Sequence, residues 1–363
     1  MTVIIAAGGT GGHFYPGITL ARAFLSEIPA ARVVFVGTAK GMEAQRLSDA
    51  GFEFVALRSG AWVGKGWIDR IVALGLIGLG FFQAIGLLRR LAPNVVIGIG
   101  GYASGPTLAA AVLLGIRRIV LEPNLMPGLA NRTLAPFMDA VVVAFEATGR
   151  MLRSRRIFSL GTPVRPEIVA ARHPARRAEP LTLLVLGGSQ GAHTINRAMR
   201  EALPWLHRAQ IRILHQTGVT DRQVVADAYA EAGFDARTLP YITEMAAAYA
   251  EADLVISRAG AGTLSELAAV GLPAILIPYP YAEAHQEKNA NVFVEAGAAE
   301  VIRDGEVTGK RLAERINALI TDTARREAMA SAAAGLGRPN ATRDIVQLCR
   351  NLATGGGQGG RAF

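Results

Sequence analysis

The sequence predicts an α/β chain of two doubly wound, Rossmann-like parallel-sheet domains facing a central cleft, and three observations predict it. Short runs rich in Val and Ile, punctuated by Gly, alternate with helical patterns along most of the 363 residues. The alternation stops at 159–180, where SLGTPVRPEIVAARHPARRAEP is rich in Pro and Arg, and then restarts. The restart repeats the opening device. VIIAAGGTGGHFYP near the beginning and LTLLVLGGSQGAHTIN after the break each read as strand, Gly-rich turn and helix. The length also exceeds what one hydrophobic core usually supports.

In chain order, VIIAA (3–7) precedes a helical stretch from Pro16 to Ser26. VVFVG (33–37), VVIGIG (95–100), RIVLE (118–122) and AVVVA (140–144) follow as buried parallel strands. After the break come LTLLVL (181–186), IRILHQ (211–216), DLVIS (253–257) and PAILIP (273–278). The expected organisation is a first domain at 1–160, a connection at 161–180 and a second domain at 181–338. A C-terminal helix at 339–353 is expected to return to the first domain, and TGGGQGGRAF (354–363) reads as a disordered tail. In doubly wound sheets ligands bind outside the carboxyl ends of the strands, so facing domains would share a site in the cleft.

The net charge is +9, which favours anionic partners such as phosphates, anionic lipid or nucleic acid. Nucleic acid is disfavoured, because aromatics are 6% of the chain and no basic motif is interleaved with them. The single cysteine, Cys349, excludes an intramolecular disulfide and a cysteine-based zinc site and suits the cytoplasm. Residues 3–7 lack the basic flank and the length of a signal peptide.

A strand-to-helix turn uses Gly for positive φ and close backbone approach, and the helix behind it offers free N–H groups to an anion. Tight packing without a ligand is the alternative on glycines alone. The dinucleotide fingerprint is incomplete: GGTGGHF lacks the last glycine, and VVFVG runs into Thr38-Ala39-Lys40 with no acidic residue. Neither turn carries the G-K-[ST] of a P-loop. His13 stands where a helix begins; a helix N-terminus favours the neutral imidazole that a general base needs. In SRAGAGTLSE (257–266) a third turn leads to a helix at Thr263. There Thr263-Leu264-Ser265-Glu266 fits a capping box, which by itself accounts for Glu266.

GGTGGHFYPG (8–17), GGYASGP (100–106), EPN-x-x-PG-x-x-NR (122–132), GTPVR (161–165), GGSQGA (187–192), HQTG (215–218), YITEMAAAYAEADLVISRAGAGTLSE (241–266) and HQEKNA (285–290) occur in this order. Together they resemble the MurG family, bacterial transferases that move N-acetylglucosamine (GlcNAc) from UDP-GlcNAc to a polyprenyl-diphosphate-linked muramoyl-pentapeptide in peptidoglycan synthesis. The resemblance implies the GT-B fold, inversion at the anomeric carbon, no cofactor and no metal. It implies that Thr10, Gly11 and Gly12 lie along the donor and its diphosphate, Asn124 on the GlcNAc side, and Arg165 at the diphosphate. It further implies that Ser189 bonds a phosphate, that Ile242 meets uracil through its backbone, and that Gln286 contacts the sugar. The turn Ala261, Gly262, Thr263, Leu264, Ser265 and Glu266 would take diphosphate and ribose, with Glu266 on the ribose hydroxyls rather than on a cap. His13 matches the residue proposed as base for the acceptor hydroxyl. One departure stands out: many members read H-E-Q-N where this chain has Leu121-Glu122-Pro123-Asn124.

Residues 66–90 read GWIDRIVALGLIGLGFFQAIGLLRR, uncharged from Ile71 to Leu88 and marginal in length for a span. A span would put VVFVG and VVIGIG on opposite sides of a bilayer, although they should share one sheet. The reading is therefore a crossover helix, either buried or with an apolar face (Ile68, Ile71, Leu74, Phe81, Phe82) flanked by Arg89 and Arg90 on a membrane surface. The resemblance favours the latter, at the cytoplasmic face of the inner membrane, with anionic lipid and cell-wall synthesis proteins as partners. The rival readings are another GT-B enzyme, such as a glycolipid glycosyltransferase or a UDP-GlcNAc 2-epimerase, and a non-catalytic nucleotide-sugar or lipid binder.

Overall fold

The computed structural model describes residues 1–7, 11–38, 47, 50–59, 67–171, 180–188, 190–281 and 285–355, with backbone alone at 11–13 and 67–74. The chain divides into two compact units, Met1–Val164 with Asn340–Phe363, and Arg165–Pro339.

The first unit holds a seven-stranded, all-parallel sheet of β1 (Thr2–Ala7), β2 (Arg32–Thr38), β3 (Glu53–Leu57), β4 (Val95–Gly100), β5 (Arg118–Glu122), β6 (Ala140–Val143) and β7 (Ile157–Phe158), in the order β3-β2-β1-β4-β5-β6-β7. Both faces are covered. Val3, Ile5, Val95 and Ile97 join one core cluster, while Ile4, Ala6, Val34 and Val96 join another. This alternation follows from the two-residue period of a strand, and it explains why these strands read as unbroken apolar runs. The helix Gly11–Glu27 starts five residues before Pro16, where the sequence pattern placed it. Pro16 removes one interior backbone bond, which a helix of this length survives when its face is packed. Leu20, Ala21 and Phe24 of that helix share a core with Ile345, Val346, Cys349 and Leu352 of the helix Ala341–Ala353. Burial pushes the Cys349 thiol well above its ordinary pKa. Residues 356–363, most of the expected disordered tail, lie outside the described residues.

The second unit repeats the plan with six parallel strands: β8 (Leu181–Leu186), β9 (Ile211–Gln216), β10 (Ala236–Leu239), β11 (Leu254–Ser257), β12 (Ala274–Leu276) and β13 (Ala299–Val301). Their order, β10-β9-β8-β11-β12-β13, reverses direction between β8 and β11, as the first sheet does between β1 and β4. In each unit the Gly-rich motif follows the first strand at that switch point in the sequence. The segment expected to be a bare connection is partly structured. Pro166–Ala170 form a helix of the second unit with Ile168 fully buried, Pro166 supplying the φ that suits a first helical position.

The apolar stretch is the helix Trp67–Leu91. Among the described residues no helix is long and apolar enough to cross a membrane. Ala84, Leu87 and Leu88 pack in the first unit's core with Phe81 against them, and the Arg58 backbone N–H donates to Gln83 Oε1 at 2.9 Å. Phe82 is 70% exposed, with Arg89 and Arg90 also at the surface. The side chains of Ile68, Ile71 and Leu74 lie outside the described residues.

Candidate functional site

In the second unit β11 ends at Ser257, and the helix Ala261–Val270 starts after an extended Gly260 that serves as N-cap. No side chain caps this end, so its first-turn N–H groups stay available to an anion. The capping box expected at Thr263–Glu266 is therefore not formed. Thr263 is the third helical residue rather than the cap, which leaves Glu266 too far along the helix to reach the cap. Its carboxylate is engaged elsewhere. Arg165 Nη2 donates to Oε1 at 3.3 Å and the Tyr249 hydroxyl donates to Oε2 at 2.9 Å. The Arg165 and Glu266 side chains are 20% and 19% exposed. Burial raises the Glu266 pKa, opposed by Arg165 and by the Tyr249 hydrogen bond. The Tyr249 phenol is pushed well up, by burial and by the neighbouring Glu266 charge.

Gln286 lies in the first turn of the helix His285–Glu295. Its Oε1 accepts from the Ala259 and Tyr279 backbone N–H groups at 3.1 and 3.0 Å. It thereby ties together the segments that follow β11 and β12, and the amide NH2 remains to donate. Ile242 is buried in the loop after β10, which fixes that loop through its side chain. Sequence reasoning missed Arg258, whose guanidinium donates to the Ile277 carbonyl at 3.0 Å and pairs with Asp304.

The second Gly-rich turn is locked to the HQTG motif. Gln216 Nε2 donates to the Gly188 carbonyl at 2.8 Å, and the Gly187 N–H to the Gln216 carbonyl at 3.3 Å. Gly191 (φ +78°) lies against the Thr217 carbonyl so closely that any Cβ would collide with it. Beneath the turn, His215 is fully buried. Asn196 Nδ2 donates to the Thr217 carbonyl and Asp221, so Asn196 Oδ1, 3.0 Å from His215 Nε2, accepts from that nitrogen. His215 Nδ1 then accepts from the Tyr229 hydroxyl at 2.8 Å. Burial lowers the ring pKa to about 3, so it is neutral. Ser189 lies outside the described residues.

In the first unit β1 ends at Ala7 and the helix begins at Gly11, so Gly11, Gly12 and His13 form its first turn. Thr10 and the His13 side chain lie outside the described residues. At the carboxyl ends of β4 and β5, Pro16, Ile99, Leu121, Glu122, Pro123 and Gly161–Pro163 line a shallow pocket. Glu122 organises the loop after β5. Its Oε1 accepts from the Asn124 N–H and Nδ2 at 3.0 and 3.2 Å, and its Oε2 from the Gly128 N–H and Asn131 Nδ2, both at 2.9 Å. The loop that departs from H-E-Q-N is thus built on the glutamate this chain keeps, with Leu121 and Pro123 turned to the pocket.

Residues 3–143 match the glycosyltransferase family 28 N-terminal domain and residues 182–347 the family 28 C-terminal domain. A protein of Syntrophus aciditrophicus named UDP-N-acetylglucosamine–N-acetylmuramyl-(pentapeptide) pyrophosphoryl-undecaprenol N-acetylglucosamine transferase is 42% identical, over 96% of this chain and 97% of its own. A protein of the same name from Thermodesulfovibrio yellowstonii is 40% identical, over 97% and 99%. The crystal structure of Acinetobacter baumannii MurG superposes with a TM-score of 0.81 at 31% identity, covering 96% of this chain and 99% of that one. This chain belongs to the MurG family. The Neisseria meningitidis UDP-GlcNAc 2-epimerase, with a TM-score of 0.66 at 14% identity, shares the GT-B fold alone. Of the residues that the MurG resemblance singles out, the structure brings Arg165 and Glu266 into direct contact. It also ties Gln286 to Ala259, two residues before the turn that starts at Ala261. Tyr249 escaped sequence reading although it stands within the quoted motif: a tyrosine in an alanine-rich helical run signals packing and not its hydroxyl's partner.

Proposed function

We propose that this chain transfers GlcNAc from UDP-GlcNAc to the C4 hydroxyl of polyprenyl-diphosphate-linked muramoyl-pentapeptide, with inversion and release of UDP. The observation that carries the reading is identity of about 42% to the named transferase over nearly the whole of both chains. The second unit takes the donor. The uncapped N-terminus at Ala261 receives the diphosphate together with Ser189 and Arg165, Glu266 receives the ribose hydroxyls, the backbone at Ile242 the uracil, and Gln286 NH2 the sugar. Negative charge grows on the diphosphate as the C–O bond breaks. Arg165 and the helix N–H groups stabilise it where other transferases use a metal ion. In the first unit, Thr10, Gly11 and Gly12 lie along the phosphates, the loop of Asn124 faces the GlcNAc, and His13 removes the acceptor hydroxyl proton. The helix Trp67–Leu91 rests on the cytoplasmic face of the inner membrane through Phe82 together with Ile68, Ile71 and Leu74, while Phe81 stays with the core, and Arg89 and Arg90 face anionic lipid.

Incubation with radiolabelled UDP-GlcNAc and the lipid-linked acceptor tests the reaction. Label in a disaccharide lipid supports it, and UDP release without acceptor points to an epimerase or hydrolase instead. His13→Ala should lose turnover by about 100-fold or more with little change in UDP-GlcNAc affinity. Unchanged kcat removes His13 from the mechanism.

A further inference from the structure

Tyr249, on the helix Met245–Glu251, is wholly buried, and its hydroxyl donates to Glu266 Oε2 at 2.9 Å. Packing alone would be served as well by phenylalanine, and a buried hydroxyl costs free energy unless it is bonded. What the oxygen gains is one carboxylate. The other oxygen of that carboxylate meets Arg165 through a longer contact, 3.3 Å, at the end of a flexible side chain. On the reading above, Arg165 turns to the donor diphosphate when the donor binds. The carboxylate then faces a ribose diol, which needs one acceptor site on each oxygen. An ionised carboxylate has about four such sites, so Tyr249 occupies one and leaves enough for both hydroxyls. With Arg165 withdrawn, the phenol is the contact that keeps the carboxylate plane from rotating.

We propose that Tyr249 is a positioning residue of the donor site: its hydroxyl sets the Glu266 carboxylate in the orientation that accepts both ribose hydroxyls and so supplies the preference for a ribonucleotide. The inference rests on Glu266 being the ribose ligand, and the test separates the two claims.

UDP and 2′-deoxy-UDP are titrated calorimetrically into the full chain, wild type and Tyr249→Phe, Glu266→Gln and the double variant. The wild type should prefer UDP by about tenfold or more, the size of one hydrogen bond to a charged group. Tyr249→Phe should narrow that ratio about threefold or more, and in the Glu266→Gln background it should change nothing further. Any loss of folded protein affects both ligands equally, so the ratio reads position even if the variant is less stable. An unchanged ratio in Tyr249→Phe overturns the proposal. A full ratio in Glu266→Gln overturns the ribose reading itself.

Discussion

Two glutamates, a buried one in the first unit and a half-buried one in the second, divide the work of a carboxylate in opposite ways. Glu122 accepts four hydrogen bonds from its own loop and the helix that follows it, two on each oxygen, and meets no cation among the described residues. Glu266 is held by one fixed neutral donor and one arginine on a long side chain, and it keeps 19% of its side chain exposed. The first is saturated and can only shape the backbone around it. The second is held by fewer donors, and on the proposed reading Arg165 is exchanged there for the donor's ribose. Counting what already occupies a carboxylate therefore separates the scaffold glutamate from the proposed ribose ligand.

The largest effect should come from removing the saturated one. Glu122→Ala removes the acceptor of four donors, one buried and three partly buried, a loss of about 1–3 kcal/mol for a buried donor left unmade and less for the others. The first unit should lose roughly 3 kcal/mol or more and melt about 10 °C lower, with transferase activity falling alongside; calorimetry checks this. A midpoint like that of the wild type would break the comparison. Glu266→Gln comes next and should reverse the pattern. Its thermal midpoint should move much less, while KM for UDP-GlcNAc rises about 10- to 100-fold; steady-state kinetics reads both parameters.

The smallest effect is on pH, and its sign sharpens the contrast. The folded Glu266 pKa is raised by burial, against Arg165 and Tyr249 and with a small contribution from Glu167. In the window between the unfolded and folded values, the native state holds a proton that the unfolded chain has lost. Stability is therefore highest below the unfolded pKa and falls as pH rises through the folded one. If donor binding uses the carboxylate, as proposed, affinity should rise across the same window. Denaturation and UDP titrations against Glu266→Gln, in which phosphate titration cancels, should show the two slopes with opposite signs.

How far the fold could be read depended on where a strand sits. The interior strands β1, β2, β4, β5, β6, β8, β11 and β12 are almost wholly covered and carry apolar runs, and β9, IRILHQ, departs from this only by its exposed Arg212 and its buried polar end. β3, β7, β10 and β13 escaped the sequence reading, and they are the four edges of the two sheets. An edge strand such as EFVAL or ARTL is half-covered, short and mixed in composition. The site divided similarly. Gly-rich segments after strands were legible because Gly signals them locally, whereas two helices begin earlier than their sequence pattern, at Gly11 and at Ala261. The partners of Glu266 were not legible, because Arg165 and Tyr249 lie 101 and 17 residues away and meet it only through the fold. The capping box at Thr263 illustrates the limit: a local rule fitted four residues, and a one-turn difference in where the helix begins redirected the glutamate.

The helix Ala341–Ala353 carries a consequence for synthesis. The second unit is one uninterrupted stretch, Arg165–Pro339, inserted into the first. Its core is complete in sequence once Pro339 has been added. The first unit, begun earlier, still lacks Ile345, Val346, Cys349 and Leu352, the side chains that cover one face of its sheet alongside Phe24. On the ribosome the second unit is therefore complete before the first, whose apolar face waits for the helix Ala341–Ala353.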